Sequence, residues 1–131
     1  MSKIIIHLPE QYKHELHAWE RALDFYKQEN AFLKMYLSEM IDKYNELVFV
    51  EYAEYFNNKF IFTDEYILAL QQDVRLQSQM LLQHINGDYS QDMLMNKLQL
   101  RLKNKMKKFE KGIADLKEEF NKKIAEILKL S

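Results

Sequence analysis

From Tyr12 to Leu47 the apolar or large residues recur at spacings that alternate four and three: Tyr12, Leu16, Trp19, Leu23, Tyr26, Asn30, Leu33, Leu37, Met40, Tyr44 and Leu47. An α-helix turns once every 3.6 residues, so this alternation holds one stripe on one side of a long helix and reads as a coiled-coil seam. With Leu16 as heptad position a, the a residues are Leu16, Leu23, Asn30, Leu37 and Tyr44, and Trp19, Tyr26, Leu33 and Met40 stand at d. Asn30 is the one polar member. Pro9 suits a first helical position, which places the start of this helix there.

A second seam runs Phe56, Phe60, Thr63, Ile67, Leu70, Val74, Gln77, Leu81 and His84, and ends at "NGD", where Gly87 can take the left-handed conformation that closes a helix. A third stripe follows, through Met95, Leu98, Leu102, Met106, Phe109, Ile113, Leu116, Phe120, Ile124 and Ile127, with Asp88 or Ser90 able to cap it. Only 2 Gly and 1 Pro occur in 131 residues, a composition with almost no turn chemistry. The expectation is all-α, with helices over about 9–44, 47–86 and 89–129, each roughly 55–60 Å long. The segment "DKYNELVF" has no strong breaker, so one helix of more than 70 residues competes with a turn near Asn45.

Register favours the turn. Short connections between helices of similar length give an elongated antiparallel, up-down-up three-helix bundle. If the first hairpin turns near residue 46, residues whose numbers total 93 share a level, which sets Leu33 by Phe60, Asn30 by Thr63, Tyr26 by Ile67 and Leu23 by Leu70. A total near 176 does the same for the second hairpin, setting Phe56 by Phe120, Phe60 by Leu116 and Ile67 by Phe109. Seam meets seam throughout, and the chain, without internal repeats, reads as a single helical domain over 1–131.

The blocks "HAWERALDFYKQENAFL", "EYFNNKFIFTDEYILALQQDV" and "DLKEEFNKKIAEIL" cover about half the chain. They resemble corresponding blocks in a group of short, uncharacterised helical bacterial proteins, with a His-x-x-Trp-like start, a central Phe-Gln-Asn-Gln-Phe-Ile-like segment and an Arg-x-Glu-Phe-Asn-like end. The group carries no assigned activity, so the resemblance implies the helical layout and no functional residues.

Most chemistry is excluded early. There is no cysteine, hence no disulfide, thiolate nucleophile or Cys-based zinc site. Two glycines cannot build a phosphate-binding loop, and no serine has a His partner backed by a carboxylate. No window approaches the ~18 apolar residues of a membrane span, and "MSKIIIHLPEQ" is too short for a signal-peptide core, which points to the cytoplasm. The chain is expected not to be an enzyme and to need no cofactor.

Histidines are the remaining metal candidates. His14 and His17 fall at f and b, on the outer face of the first helix, and lack a third ligand. His7, His84 and Asp88 gather by register at one end of the bundle, where His84 can also simply meet the last carbonyls of its helix. Asn30 and Thr63 share a level as a polar core layer, of the kind that fixes register at a cost in stability, and Gln77 reads likewise.

Charge is uneven. Residues 1–87 carry 8 basic and 13 acidic side chains, and residues 88–131 carry 11 and 7. The segment 97–111 holds Lys97, Arg101, Lys103, Lys105, Lys107, Lys108 and Lys111 against Glu110 alone, which suggests nucleic-acid or anionic-surface binding. Against a nucleic-acid partner, Phe109 is the one aromatic there and belongs to the core stripe, and the chain as a whole is not basic.

Apolar surplus is the stronger signal. Beyond its seam, the second helix has Ile61, Leu68 and Leu82 at b, Tyr55, Phe62 and Leu76 at c, and Tyr52, Tyr66 and Met80 at g. The first helix adds Phe25, Phe32 and Tyr36. Two neighbours cannot cover so wide an arc. The sequence therefore points to an interaction or scaffold protein that forms a homodimer or larger assembly, or docks another helical protein, through these residues.

Overall fold

A computed structural model describes residues 2–44 and 46–130, and the side chains of residues 8–44 and 46–129. The chain is an all-α three-helix bundle: α1 Ser2–Lys43, α2 Leu47–Ile85 and α3 Asp92–Leu130, with no strand among the described residues. The single long helix is ruled out. Tyr44 N–H closes α1 on the Met40 carbonyl at 2.8 Å, and the Glu46 carbonyl accepts the first bond of α2 from Val50 N–H at 3.0 Å. Asn45, assigned to this turn from sequence, lies outside the described residues.

Pro9 does not open α1. The helix begins at Ser2 and carries Pro9 inside it. A proline there omits one backbone hydrogen bond and crowds the carbonyl four residues earlier, yet one lost bond does not end a helix that has residues willing to continue on both sides.

Gly87 ends α2 as expected, with φ of 96°. Its N–H reaches the His84 carbonyl at 3.0 Å and the Asp88 N–H reaches the Gln83 carbonyl at 2.9 Å, the paired bonds of a Schellman closure. Asp88 and Ser90 do not cap α3, which starts later than expected, with the Gln91 carbonyl accepting from Met95 N–H. Asp88 instead takes the Ser90 hydroxyl at 2.6 Å and the Ser90 N–H at 3.1 Å. Those bonds, the hydroxyl foremost, hold the Asp88 carboxyl below the usual carboxylate range. A lowered carboxylate contributes to the turn at neutral pH, and that contribution fades only as pH falls through the lowered value.

The chain forms two compact units, one from residues up to Phe25 with Leu68–Lys107, the other from Tyr26–Ile67 with residues 108 onward. Each helix contributes to both, so no cut in the sequence separates them. In the first, Leu16, Leu23, Leu70, Val74, Leu81, Met95, Leu102 and Met106 are buried. In the second, Phe49, Ala53, Phe56, Phe60, Phe120, Leu37, Met40 and Ile124 form one apolar cluster.

Contacts follow the register read from the seams. Between α2 and α3, His84 meets Asp92, Gln77 meets Gln99, Tyr66 meets Phe109 and Phe56 meets Phe120. Between α1 and α2, Asn30 reaches Phe60 and Asp64. Tyr12 with Asn96 and Glu15 with Lys103 in the first unit, and Glu29 with Lys117 and Tyr36 with Phe120 in the second, show α1 and α3 running in the same direction within each unit, as an up-down-up path requires.

Phe120 is the hub of the second unit. Its ring stands edge-on to Phe56 at 5.2 Å, Phe60 at 5.3 Å and Tyr36 at 6.2 Å, and only 1% of the residue is exposed. Replacing Phe120 with Ala should cost about 3–5 kcal/mol by urea unfolding, the usual loss for a buried phenylalanine. A change below about 1 kcal/mol would contradict this packing.

Candidate interaction surface

A heptad helix shows a and d to its neighbours and b, c and f to its surroundings. On α2 most b and c positions are apolar, with Ile61, Leu68 and Leu82 at b and Val48, Tyr55, Phe62 and Leu76 at c, while Glu54, Arg75 and Gln83 interrupt them and the f positions, Glu51, Asn58, Glu65, Gln72 and Gln79, are polar. These apolar side chains all remain exposed, from 43% for Ile61 to 67% for Phe62. Phe25 and Phe32 are exposed on α1. Tyr36, grouped with them from sequence, is half-buried against the Phe120 cluster. Its g position borders the seam, and a long aromatic side chain leans into the core from there.

The buried polar side chains form two rungs. In the second unit, Asn30 is 4% exposed and its Nδ2 donates to the Phe60 carbonyl at 2.8 Å and to Asp64 Oδ1 at 2.6 Å. Asp64 is also paired with Lys34. Thr63 stands in the same cleft, but its hydroxyl donates back along its own helix to the Lys59 carbonyl at 2.9 Å. The expected Asn30–Thr63 layer is therefore an Asn30–Asp64–Lys34 layer. A threonine hydroxyl is short and finds its own helix first, whereas Asp64, one residue on, reaches across with a charge-assisted bond.

In the first unit, Gln77 donates to the Met95 carbonyl at 2.7 Å and to Gln99 Oε1 at 2.9 Å, and Gln99 donates to Glu15 Oε1 at 3.2 Å. Gln77 and Gln99 are both buried, and Gln77 Oε1 has no partner. Gln99 was not singled out in the sequence. Its only signal is the step from Met95 to Leu102, which can be bridged by Leu98 or by its neighbour. A buried acceptor left open costs about 1–3 kcal/mol, so this rung is held at some expense.

Of the four histidines, the side chains of His14, His17 and His84 are described. His14 and His17 are both exposed. The side chain of His7 lies outside the described residues. His84 Nδ1 donates to the Asp92 carboxylate at 2.8 and 3.0 Å, and its ring stands edge-on to Tyr89 at 4.9 Å. Asp88, expected beside His84, is engaged by Ser90, and the later start of α3 brings Asp92 there instead. Among the described residues no three His, Asp or Glu side chains gather as a metal site.

The basic segment divides. Lys103 faces Glu15 at 3.6 Å, Lys105 faces Asp73 at 3.2 Å and Lys111 faces Asp115 at 3.8 Å. Lys97, Arg101, Lys107 and Lys108 are exposed. No described helix is long and apolar enough to cross a membrane. No family model matches the chain, and no curated protein or solved structure matches it.

The rungs make a direct prediction. Asn30→Leu should cost about 1–3 kcal/mol in urea unfolding, because it removes the amide bonded to Asp64 and to a buried carbonyl. Thr63→Val should stay within about 0.5 kcal/mol. A double replacement that stabilises the protein would overturn the assignment of Asp64 as partner.

Proposed function

We propose that this is a non-enzymatic interaction protein of the cytoplasm that associates with further copies of itself through the outer face of α2. The observation that carries the reading is the set of exposed apolar side chains on α2, Val48, Tyr55, Phe62 and Leu76 in one stripe and Ile61, Leu68 and Leu82 in another, on either side of polar f positions. Buried aliphatic or aromatic side chains contribute about 1.5–3 kcal/mol each, and proteins that act alone rarely leave so many exposed along one helix. A two-fold assembly lets one patch cover its own counterpart.

A second reading rests on Lys97, Arg101, Lys107 and Lys108, which remain exposed on α3 and suit an anionic partner. It ranks lower because three of the segment's seven cations already face carboxylates of this chain.

Light scattering at micromolar concentration should give a mass at least twice the 15.9 kDa of one chain. Phe62→Glu with Leu76→Glu should yield helical monomers, since neither residue is buried within the chain. A compact monomer for the unaltered protein would remove the proposal. Salt-dependent retention on heparin, abolished by changing the four exposed cations to Gln, would promote the anionic partner in its place.

A further inference from the structure

Gly112 lies midway along the 39-residue α3, where glycine costs about 1 kcal/mol of helix stability relative to alanine. Nothing among the described residues accounts for it. Its backbone is ordinary helix, the one positive φ among the described glycines being at Gly87. A Cβ built on Gly112 would meet nothing within 4 Å, so no packing within the chain requires the missing side chain. Gly112 thus leaves its stretch of α3 open to a group approaching from outside.

The space above Gly112 is a groove of about 430 Å³ between α2 and α3. Phe62 and Tyr66 line it from α2, and Phe109 and Leu116 from α3. Tyr66 lies flat on Phe109 with centroids 5.4 Å apart and planes 10° from parallel, giving one wall an aromatic surface. Phe62, at the rim, is 67% exposed.

We infer that this groove is a socket for Phe62 of a second copy, with the two copies related by a two-fold axis that sets their α2 helices antiparallel. The inference rests on the self-association proposed above and names its contact. One surface holds both the projecting ring and the hollow over Gly112, which is what an interface between identical patches demands. The charges along the groove agree. Lys108 stands one turn before Gly112, while Asp115 and Glu119 stand after it. Lys59 shares the carboxylate end and offsets only one of those two charges. Antiparallel copies bring each Lys108 towards the partner's acidic end, and parallel copies would bring like charges together. The Lys111–Asp115 pair leaves both side chains more than two-thirds exposed, too weakly held to withdraw Asp115 from this contact.

The test is Gly112→Leu, followed by sedimentation velocity and far-ultraviolet circular dichroism. A Cβ at this position meets nothing within 4 Å and the groove opens above it, so helicity should hold or rise, while the dimer dissociation constant should weaken at least tenfold. Gly112→Ala should keep the fold and weaken the dimer less. Lys108→Glu should weaken it too, and adding Glu119→Lys should recover most of the loss. If the unaltered protein is monomeric throughout, self-association itself fails and the socket with it. If it dimerises and Gly112→Leu dimerises equally well, self-association stands and the socket is wrong. A Lys108→Glu loss that Glu119→Lys does not recover contradicts the antiparallel pairing.

Discussion

Two buried amides, Asn30 and Gln77, decide at which level the helices meet. Heptad seams fix how each helix is rotated, but a slide of seven residues would still lay leucine against leucine. The amides remove that freedom. Asn30 is satisfied only where the Phe60 carbonyl and Asp64 stand opposite it, and Gln77 only where Met95 and Gln99 do. A slipped register would bury both without donors or acceptors, at about 1–3 kcal/mol for each abandoned group. Each unit has one such rung, so each unit carries its own specification.

With level and rotation fixed, the exposed face of α2 follows as a consequence. Its a and d residues, Phe56, Phe60, Ile67, Leu70, Val74 and Leu81, are spent on α1 and α3 and are almost fully buried. The b and c residues point away by helix geometry and cannot be turned inward without losing the rungs. An apolar excess that the fold cannot absorb is a property of the sequence with a physical cost in water. Coverage by another chain removes that cost, and a groove with a projecting phenylalanine on its rim offers the means within the same surface.

The sequence shows the apolar framework and misreads several polar partners, for one physical reason. A heptad letter gives the direction of a Cβ, and for Leu23, Phe60 or Phe120 that direction is enough, because a compact apolar side chain goes where its Cβ points. Long or charged side chains reach one position further. Asp64 takes the place expected of Thr63, Gln99 joins a rung from beside Leu98, and Tyr36 leans from g into the Phe120 cluster. Turns were legible only where backbone conformation demands a residue type. Gly87 was recognisable because few residues tolerate φ of 96°, whereas the late start of α3, which exchanges Asp92 for Asp88 beside His84, left no comparable mark. Pro9 misleads in the opposite sense, since its preference for a helix start is a tendency and not a barrier. Gly112 could be noticed in the sequence as a cost, but only the empty space around it gives that cost a meaning.

The central claim, that the outer face of α2 is covered by another copy in solution, can be read from a single thiol. Ala69 is exposed at position c, one heptad from both Phe62 and Leu76, and the chain has no cysteine of its own. Ala69→Cys adds a small, weakly polar side chain whose alkylation depends on access to the sulfur. Its alkylation rate should fall severalfold as chain concentration rises from nanomolar to tens of micromolar, while a cysteine placed at exposed Glu118 on α3 should react at a constant rate. Equal, concentration-independent rates at both positions would contradict the account.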